Sequence, residues 1–119
     1  MNKNFYITTP IYYPSANPHM GHAYSSIVSD VIARFKRLDG FNVEFLTGTD
    51  EHGLKIQRAA EKKVIDTKIF CDEISETFRN LSNTLNLSNT DFIRTTEDRH
   101  IKSVQNLWKI LEKKDEIYL

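Results

Sequence analysis

The chain has 119 residues, of which 39% are hydrophobic and 27% charged, a mixture typical of a folded domain. Sixteen basic and sixteen acidic residues leave no formal net charge, so overall charge gives no argument for nucleic acid binding. No apolar run approaches the roughly 18 residues that cross a bilayer, and the first residues do not resemble a secretory signal. With Cys71 as the single cysteine, we expect one domain in the reducing cytoplasm and no membrane partner.

The first half of the chain has the pattern of a strand, a helix and a second strand. Residues 5–9 are aromatic and β-branched, which predicts a strand, and the next nine residues contain all three prolines, at Pro10, Pro14 and Pro18. Residues 20–39 predict a helix that ends at Gly40. Its apolar stripe is expected to lie on the sheet and consists of Ile27, Val28, Val31, Ile32, Phe35 and Leu38. Residues 43–47 predict a second strand, parallel to the first.

The second half predicts two helices, a short strand and a further helix. Residues 54–63 predict the first helix, and the next carries the stripe Phe70, Ile74, Phe78, Leu81 and Leu85, closed by Asn86 and Asn89. Residues 91–95 predict a third strand, and Thr95 or Thr96 is expected to cap a helix with Ile101, Val104, Trp108 and Leu111 on its apolar side. Residues 117–119 have the character of a strand just starting. We therefore expect an α/β fold, the first half of a Rossmann-like parallel-sheet nucleotide-binding domain.

Two short segments hold three of the four histidines and three of the four glycines: residues 18–22, the first loop, and residues 47–53, the second loop. Because each follows a strand of the same parallel unit, both are expected at one edge of the sheet. His19, Gly21 and His22 at a helix N-terminus suit phosphate oxygens, and two imidazoles there can donate hydrogen bonds to charge that develops during a displacement.

The second loop and the proline-rich segment add groups suited to an amino acid. Asp50 follows the second strand, where a carboxylate can accept hydrogen bonds from an ammonium group. Ile11 and Tyr13 are apolar surfaces that can wall a side-chain pocket. Together the two loops predict a site for an amino acid beside a nucleotide.

Residues 12–22, ending in His-Met-Gly-His, resemble the HIGH signature of the class I aminoacyl-tRNA synthetases. Ile-Tyr-Tyr at 11–13 and the segments 45–53 and 91–100 are similar to the methionine-specific members of that family. The resemblance covers nearly the whole chain. One departure is Pro-Ser-Ala-Asn at 14–17, where relatives more often begin with Val-Asn. The family's second ATP signature, of the Lys-Met-Ser-Lys-Ser type, is absent from these residues.

The resemblance implies that residues 1–119 are the N-terminal part of a catalytic domain, with the remainder of a longer enzyme absent. It implies activation of methionine with ATP and magnesium to methionyl-adenylate, followed by transfer to tRNA(Met). His19 and His22 would be the catalytic residues and, with Gly21, the ATP-binding residues. Methionine would be bound by Pro10, Ile11, Tyr13 and Asp50. Any zinc site would lie beyond residue 119.

Other interpretations remain open at this point. Another nucleotidyltransferase of the same superfamily would form an adenylate or a dinucleotide without tRNA, and a non-catalytic binding module is a further alternative. A redox dinucleotide-binding domain predicts a glycine-rich turn after the first strand, which the prolines do not supply. Two histidines without a third ligand make a poor zinc site. An alternative role for Asp50 is to cap the next helix, and an alternative role for Tyr13 is to pack in the core. Trp108 is expected to pack, and His100 is given no role.

Overall fold

A computed structural model describes residues 3–118 as a three-stranded parallel sheet with four helices. The elements in chain order are β1 (Lys3–Thr8), α1 (Met20–Leu38), β2 (Phe41–Thr49), α2 (Leu54–Lys63), α3 (Thr67–Thr84), β3 (Asp91–Arg94) and α4 (Asp98–Glu112). β2 lies between β1 and β3 and is parallel to both. The predicted α/β class is confirmed. Within the described range, none of the helices has the length and apolar character of a membrane span.

β2 is longer than predicted and includes the first residues of the second loop. Gly48 lies within this strand, in register with Ile93 of β3. A Cβ atom placed on Gly48 would stand 1.9 Å from the carbonyl oxygen of Ile93, so glycine is needed for the two strands to pair. Gly48 therefore belongs to the sheet, while Gly53, at φ 118°, is the residue just before α2.

The main core lies between the sheet and α3. Its side chains come from the segment after β1, from α2, from α3 and from β3: Tyr12, Ile56, Ala60, Phe70, Cys71, Ile74, Phe78 and Phe92. The predicted stripe of α3 is buried at its first three positions, and Cys71 of the same helix is buried as well. This core supports the carboxyl ends of the strands, where the two loops begin.

α1 lies on the sheet as predicted, but it packs through a different face from the one expected. Its apolar stripe is exposed, from 39% at Ile32 to 88% at Leu38, whereas the residues buried on this helix are Ser26, Ser29, Asp30 and Ala33. Small residues let the helix approach β2 closely, and Ala33 packs beside Val43 and Phe45. A periodic pattern shows that a helix has an apolar face, but it does not show which face the sheet covers.

Two expectations about α4 are also wrong. The N-cap of this helix is Glu97, which makes no side-chain capping bond. The two threonines expected there bond to Glu51 instead: the Thr95 hydroxyl accepts from its backbone N–H, and the Thr96 hydroxyl donates to its carboxylate. No residue of α4 is buried, and Trp108 is 57% exposed. After α4, Ile117 and Tyr118 are in neither a helix nor a strand, and Leu119, the last residue of the strand expected there, lies outside the described residues.

Candidate active site

The two loops meet at the carboxyl edge of the sheet, joined by the backbone of Tyr12. Its N–H donates to the carbonyl of Gly48 at 3.1 Å, and its carbonyl accepts from the N–H of Asp50 at 2.8 Å. These two bonds form an isolated parallel bridge between Tyr12 and Thr49, beyond the last regular pair of β1 and β2, Thr8 with Leu46. The expected convergence of both loops on one edge is thus observed.

His19 and His22 form a reciprocal cap at the start of α1. The Nδ1 atom of His19 accepts from the N–H of Gly21 at 3.1 Å, and the Nδ1 atom of His22 accepts from the N–H of His19 at 3.0 Å. This arrangement is a capping box built from two imidazoles. The ring centroids lie 3.9 Å apart, with 35° between the ring planes.

This cap determines which nitrogen of each neutral ring carries the proton. Because both Nδ1 atoms accept, the hydrogen is on Nε2 in both rings, and both Nε2–H groups remain available to a ligand. Burial and the neighbouring His19 lower the pKa of His22 from its ordinary value, so His22 is neutral at pH 7. The pair is therefore two oriented donors at the positive end of a helix, which is an arrangement suited to phosphate.

A cavity of about 540 Å³ lies beside these two rings. Five of the seven predicted site residues line it: Pro10, Ile11, Tyr13, His19 and His22. Tyr13 is 55% exposed, so it lines the cavity instead of packing in the core. Asn17, Ser25 and Lys55, which the sequence had not singled out, line it as well. The arrangement combines an apolar wall with a cluster of donors.

Gly21 and Asp50, the other two predicted residues, lie next to the cavity without lining it. At Gly21 an added Cβ would stand 3.0 Å from Cε1 of His19, so this glycine makes room for the histidine ring. Asp50 is half-buried, and its Oδ1 atom accepts from the hydroxyl of Thr95 at 3.4 Å. The N-cap of α2 is Gly53, so Asp50 does not cap that helix and its carboxylate remains available.

Glu51, the neighbour of Asp50, was missed in the sequence and anchors the second loop. Its carboxylate is fully buried and accepts from Arg94 Nε at 2.6 Å and from Arg94 Nη2 at 2.9 Å. It also accepts hydrogen bonds from the hydroxyls of Thr49, Ser75 and Thr96. Burial alone would raise the pKa of Glu51, but these bonds outweigh it and lower the pKa. The carboxylate is thus ionised and holds the loop against α3 and β3.

The side chain of Tyr12 was also missed, and it links the core to the first loop. Its hydroxyl lies 3.3 Å from the carbonyl oxygen of His22 and 2.9 Å from the hydroxyl of Ser26. Its ring stacks on Phe78 with centroids 5.5 Å apart and meets the ring of His22 edge-on at 4.8 Å. A tyrosine between a strand and a proline-rich loop carries no sequence signal for such a role.

Comparison with known proteins identifies the class. The family model described as "tRNA synthetases class I (M)" matches residues 5–119. The chain therefore belongs to the class I tRNA synthetases, and the resemblance expected from its motifs is confirmed.

The individual relatives agree with that family. A methionine–tRNA ligase from Rickettsia conorii is 58% identical over 118 residues, which are 99% of this chain and 23% of the relative. The mitochondrial methionine–tRNA ligase of Takifugu rubripes is 55% identical over 117 residues, which are 98% of this chain and 20% of the relative. The chain thus spans about a fifth of the length of these relatives.

A solved structure gives the same result for the fold. The Mycobacterium tuberculosis methionyl-tRNA synthetase bound by methionyl-adenylate superposes with a TM-score of 0.91 at 47% identity, over 93% of this chain and 22% of that one. The parallel sheet and its helices therefore have the arrangement found in that synthetase.

Proposed function

We propose that this chain is the N-terminal part of the catalytic domain of a methionine–tRNA ligase. The full enzyme would activate methionine with ATP to methionyl-adenylate and then transfer the methionyl group to tRNA(Met). The observation that carries the proposal is the cavity in which two oriented imidazoles face the apolar wall of Ile11 and Tyr13. The relative of known structure that is bound by methionyl-adenylate supports it.

In this proposal the first loop binds the triphosphate. His19 and His22 donate from Nε2 to the phosphate oxygens, where negative charge shifts as pyrophosphate leaves, and Gly21 lies near the adenosine. Donors fixed in place before the reaction need no reorganisation in the transition state. Magnesium would enter with ATP as its complex, and no residue of this chain is assigned to hold it.

The methionine side of the site is proposed to lie between the proline-rich segment and the second loop. Asp50 and the backbone of Ile11 hold the ammonium group, while Tyr13 and Pro10 border the thioether. Glu51 fixes the loop that carries Asp50, which keeps the Asp50 carboxylate in place beside the cavity. A cytoplasmic location is part of the proposal, since a single buried cysteine suits a reducing compartment.

The test is methionine-dependent exchange between ATP and pyrophosphate, measured on the full-length protein. We expect exchange with methionine, and a loss of roughly 100-fold to 1000-fold in kcat for His22→Ala, which removes one preorganised donor. His100→Ala, a histidine of α4 outside the cavity, is the matched control and should retain activity. Exchange with another substrate but not with methionine would contradict the proposed specificity. Tight binding of both ATP and methionine, or turnover, by residues 1–119 alone would contradict the view of the chain as an incomplete part.

A further inference from the structure

Thr95, the residue just after β3, contacts four consecutive residues of the second loop. Its N–H donates to the carbonyl of Thr49 at 3.1 Å, and its hydroxyl accepts from the N–H of Glu51 at 2.8 Å. The same hydroxyl donates to Oδ1 of Asp50 at 3.4 Å. The Nε2 atom of His52 lies 3.4 Å from the carbonyl oxygen of Thr95. One residue at the end of the neighbouring strand therefore holds every residue from 49 to 52.

The bond from Glu51 fixes the direction in which the Thr95 hydroxyl donates. A hydroxyl has a single hydrogen and two acceptor lone pairs, and the backbone N–H of Glu51 occupies one of those lone pairs. The hydrogen then points at the Asp50 carboxylate, which only accepts when it is ionised. Thr95 is 7% exposed, so water has little access to this hydroxyl. The threonine is therefore an oriented donor that reaches Asp50 from a fixed position.

The Asp50 side chain depends on this donor for its direction. In the part of the chain that the structure describes, residues 3–118, the Thr95 hydroxyl is the one group that donates to the Asp50 carboxylate. The bond is made to Oδ1, which leaves Oδ2 for a ligand. A length of 3.4 Å is long for such a bond, and hydrogen bonds within active sites commonly shorten once substrate binds. Glu51 holds the backbone of the loop through Arg94, whereas Thr95 acts on the Asp50 carboxylate itself.

We propose that Thr95 is a positioning residue that orients the Asp50 carboxylate toward the ammonium group of methionine. This inference rests on the proposed function and adds the residue through which Asp50 is held in a productive direction. Thr95 does not line the cavity, so it acts on the substrate through Asp50. The ammonium group takes no part in the bonds that form and break when the adenylate is made, so its contact is equally strong in the bound substrate and in the transition state. Loss of such uniform binding raises the KM and leaves kcat unchanged.

A second threonine, Thr90, makes the same kind of contacts at the opposite end of β3. Its hydroxyl accepts from the N–H of Phe45 at 2.9 Å and donates to Oε2 of Glu44 at 2.9 Å. It also joins a backbone N–H of β2 to a carboxylate, but it is exposed and lies outside the cavity. Thr90→Val is therefore a matched control for Thr95→Val, because each substitution replaces one hydroxyl by a methyl group of similar size.

The experiment measures methionine-dependent exchange between ATP and pyrophosphate with variants of the full-length protein, whose folding a thermal melt checks. We expect Thr95→Val to raise the KM for methionine roughly tenfold, because it removes a hydrogen bond to a charged group. The kcat and the KM for ATP should stay within about twofold of the wild type. Thr95→Ser keeps the hydroxyl and should restore the KM for methionine, and Thr90→Val should behave as the wild type does. Thr95→Ala also lacks the hydroxyl and replaces Thr95→Val if valine prevents folding.

Two results would overturn the inference. One is an unchanged KM for methionine in a folded variant that lacks the Thr95 hydroxyl. The other is an equal rise in the KM for ATP and the KM for methionine, which a general loosening of the site would produce.

A double variant tests whether Thr95 acts through Asp50. Asp50→Asn should raise the KM for methionine at least as much as Thr95→Val does. Adding Thr95→Val to Asp50→Asn should then change this KM by less than about twofold, because two residues that act through one contact are not additive. Effects that simply multiply would contradict the inference. An unchanged KM in Asp50→Asn would contradict the role of Asp50 in the proposed function, whereas an effect of Asp50→Asn without one of Thr95→Val would contradict this inference alone.

Discussion

The two loops at the carboxyl edge of the sheet are held in place in different ways. In the first loop, the capping bonds of His19 and His22 join residues at most three apart, and His19 is exposed. In the second loop, the carboxylate of Glu51 is buried, and its partners Ser75 and Arg94 are 24 and 43 residues away. One loop is organised locally and presents its donors, whereas the other depends on the fold around it.

The two loops also differ in whether the residues that hold the loop are the same as those proposed to bind the ligand. In the first loop the same two histidines hold the loop and are proposed to bind the ligand, because Nδ1 is used for capping and Nε2 remains available. In the second loop the tasks are divided between neighbours: Glu51 holds the loop, and the half-buried Asp50 is the residue proposed to bind the substrate. Tyr12 joins the two, with its backbone on the second loop and its hydroxyl on the first turn of α1.

The largest effect is expected from Glu51→Gln, which tests whether Glu51 anchors the second loop. Breaking a buried ion pair leaves Arg94 without its main partner, so we expect a loss of about 3 kcal/mol in local stability around the second loop. The amide hydrogen exchange of β2 and β3 in the full-length protein measures this loss. Glu61→Gln, a carboxylate on the exposed side of α2, is the matched control and should stay within about 0.5 kcal/mol of the wild type. Equal effects of the two substitutions would show that Glu51 does not anchor the loop.

The contrast between a locally organised loop and a loop held by distant residues explains how much the sequence could predict. Glycines, prolines and apolar spacing are local signals, and they predicted all seven elements, the parallel pairing and the meeting of the loops. The short spacing of His19 and His22 was equally informative, because an N-cap residue and the residue three positions later meet in a capping box. The role of Glu51 depends on Ser75 and Arg94, which become neighbours only after folding.

The failed predictions have the same cause. The apolar stripe of α1 identified the helix correctly, but its sheet-facing side is made of small and polar residues, including Asp30. That carboxylate accepts hydrogen bonds from Arg34, one turn along the same helix, and from Ser88, 58 residues away, a partner that no local pattern reveals. Trp108 was expected to pack, yet α4 extends without burying any side chain.

A smaller effect is expected from Tyr12→Phe, which tests the link between the loops. The substitution keeps the ring that stacks on Phe78 but removes the hydroxyl beside Ser26 and the His22 carbonyl. Losing such a buried hydrogen bond costs about 1 to 2 kcal/mol, and exchange of the amides in the first turn of α1 should report it. Amides of the second loop should be unchanged, since the backbone bonds of Tyr12 remain. Equal loosening of both loops would mean that the hydroxyl does not act on the first loop alone.

The smallest effect is a difference in the pH at which each loop weakens. The folded-state pKa of His22 lies below its ordinary value of 6.5, chiefly through burial and then through His19. Below pH 6.5 the unfolded chain therefore binds protons more readily than the folded one, and the stability of the first loop is lost as the pH falls through that region.

The stability contribution of Glu51 is also lost as the pH falls, but in a lower pH range, because its pKa is lowered from 4.5. This contribution is present above pH 4.5 and is lost as the pH falls through the folded-state pKa. Amide exchange between pH 7.5 and 4, corrected for the intrinsic pH dependence, should show the first turn of α1 loosening before the second loop. In His22→Gln, which has no titrating imidazole at this position, the earlier loosening should decrease. If both loops weakened together only below pH 4.5, the imidazole cap would not contribute to the stability of the first loop.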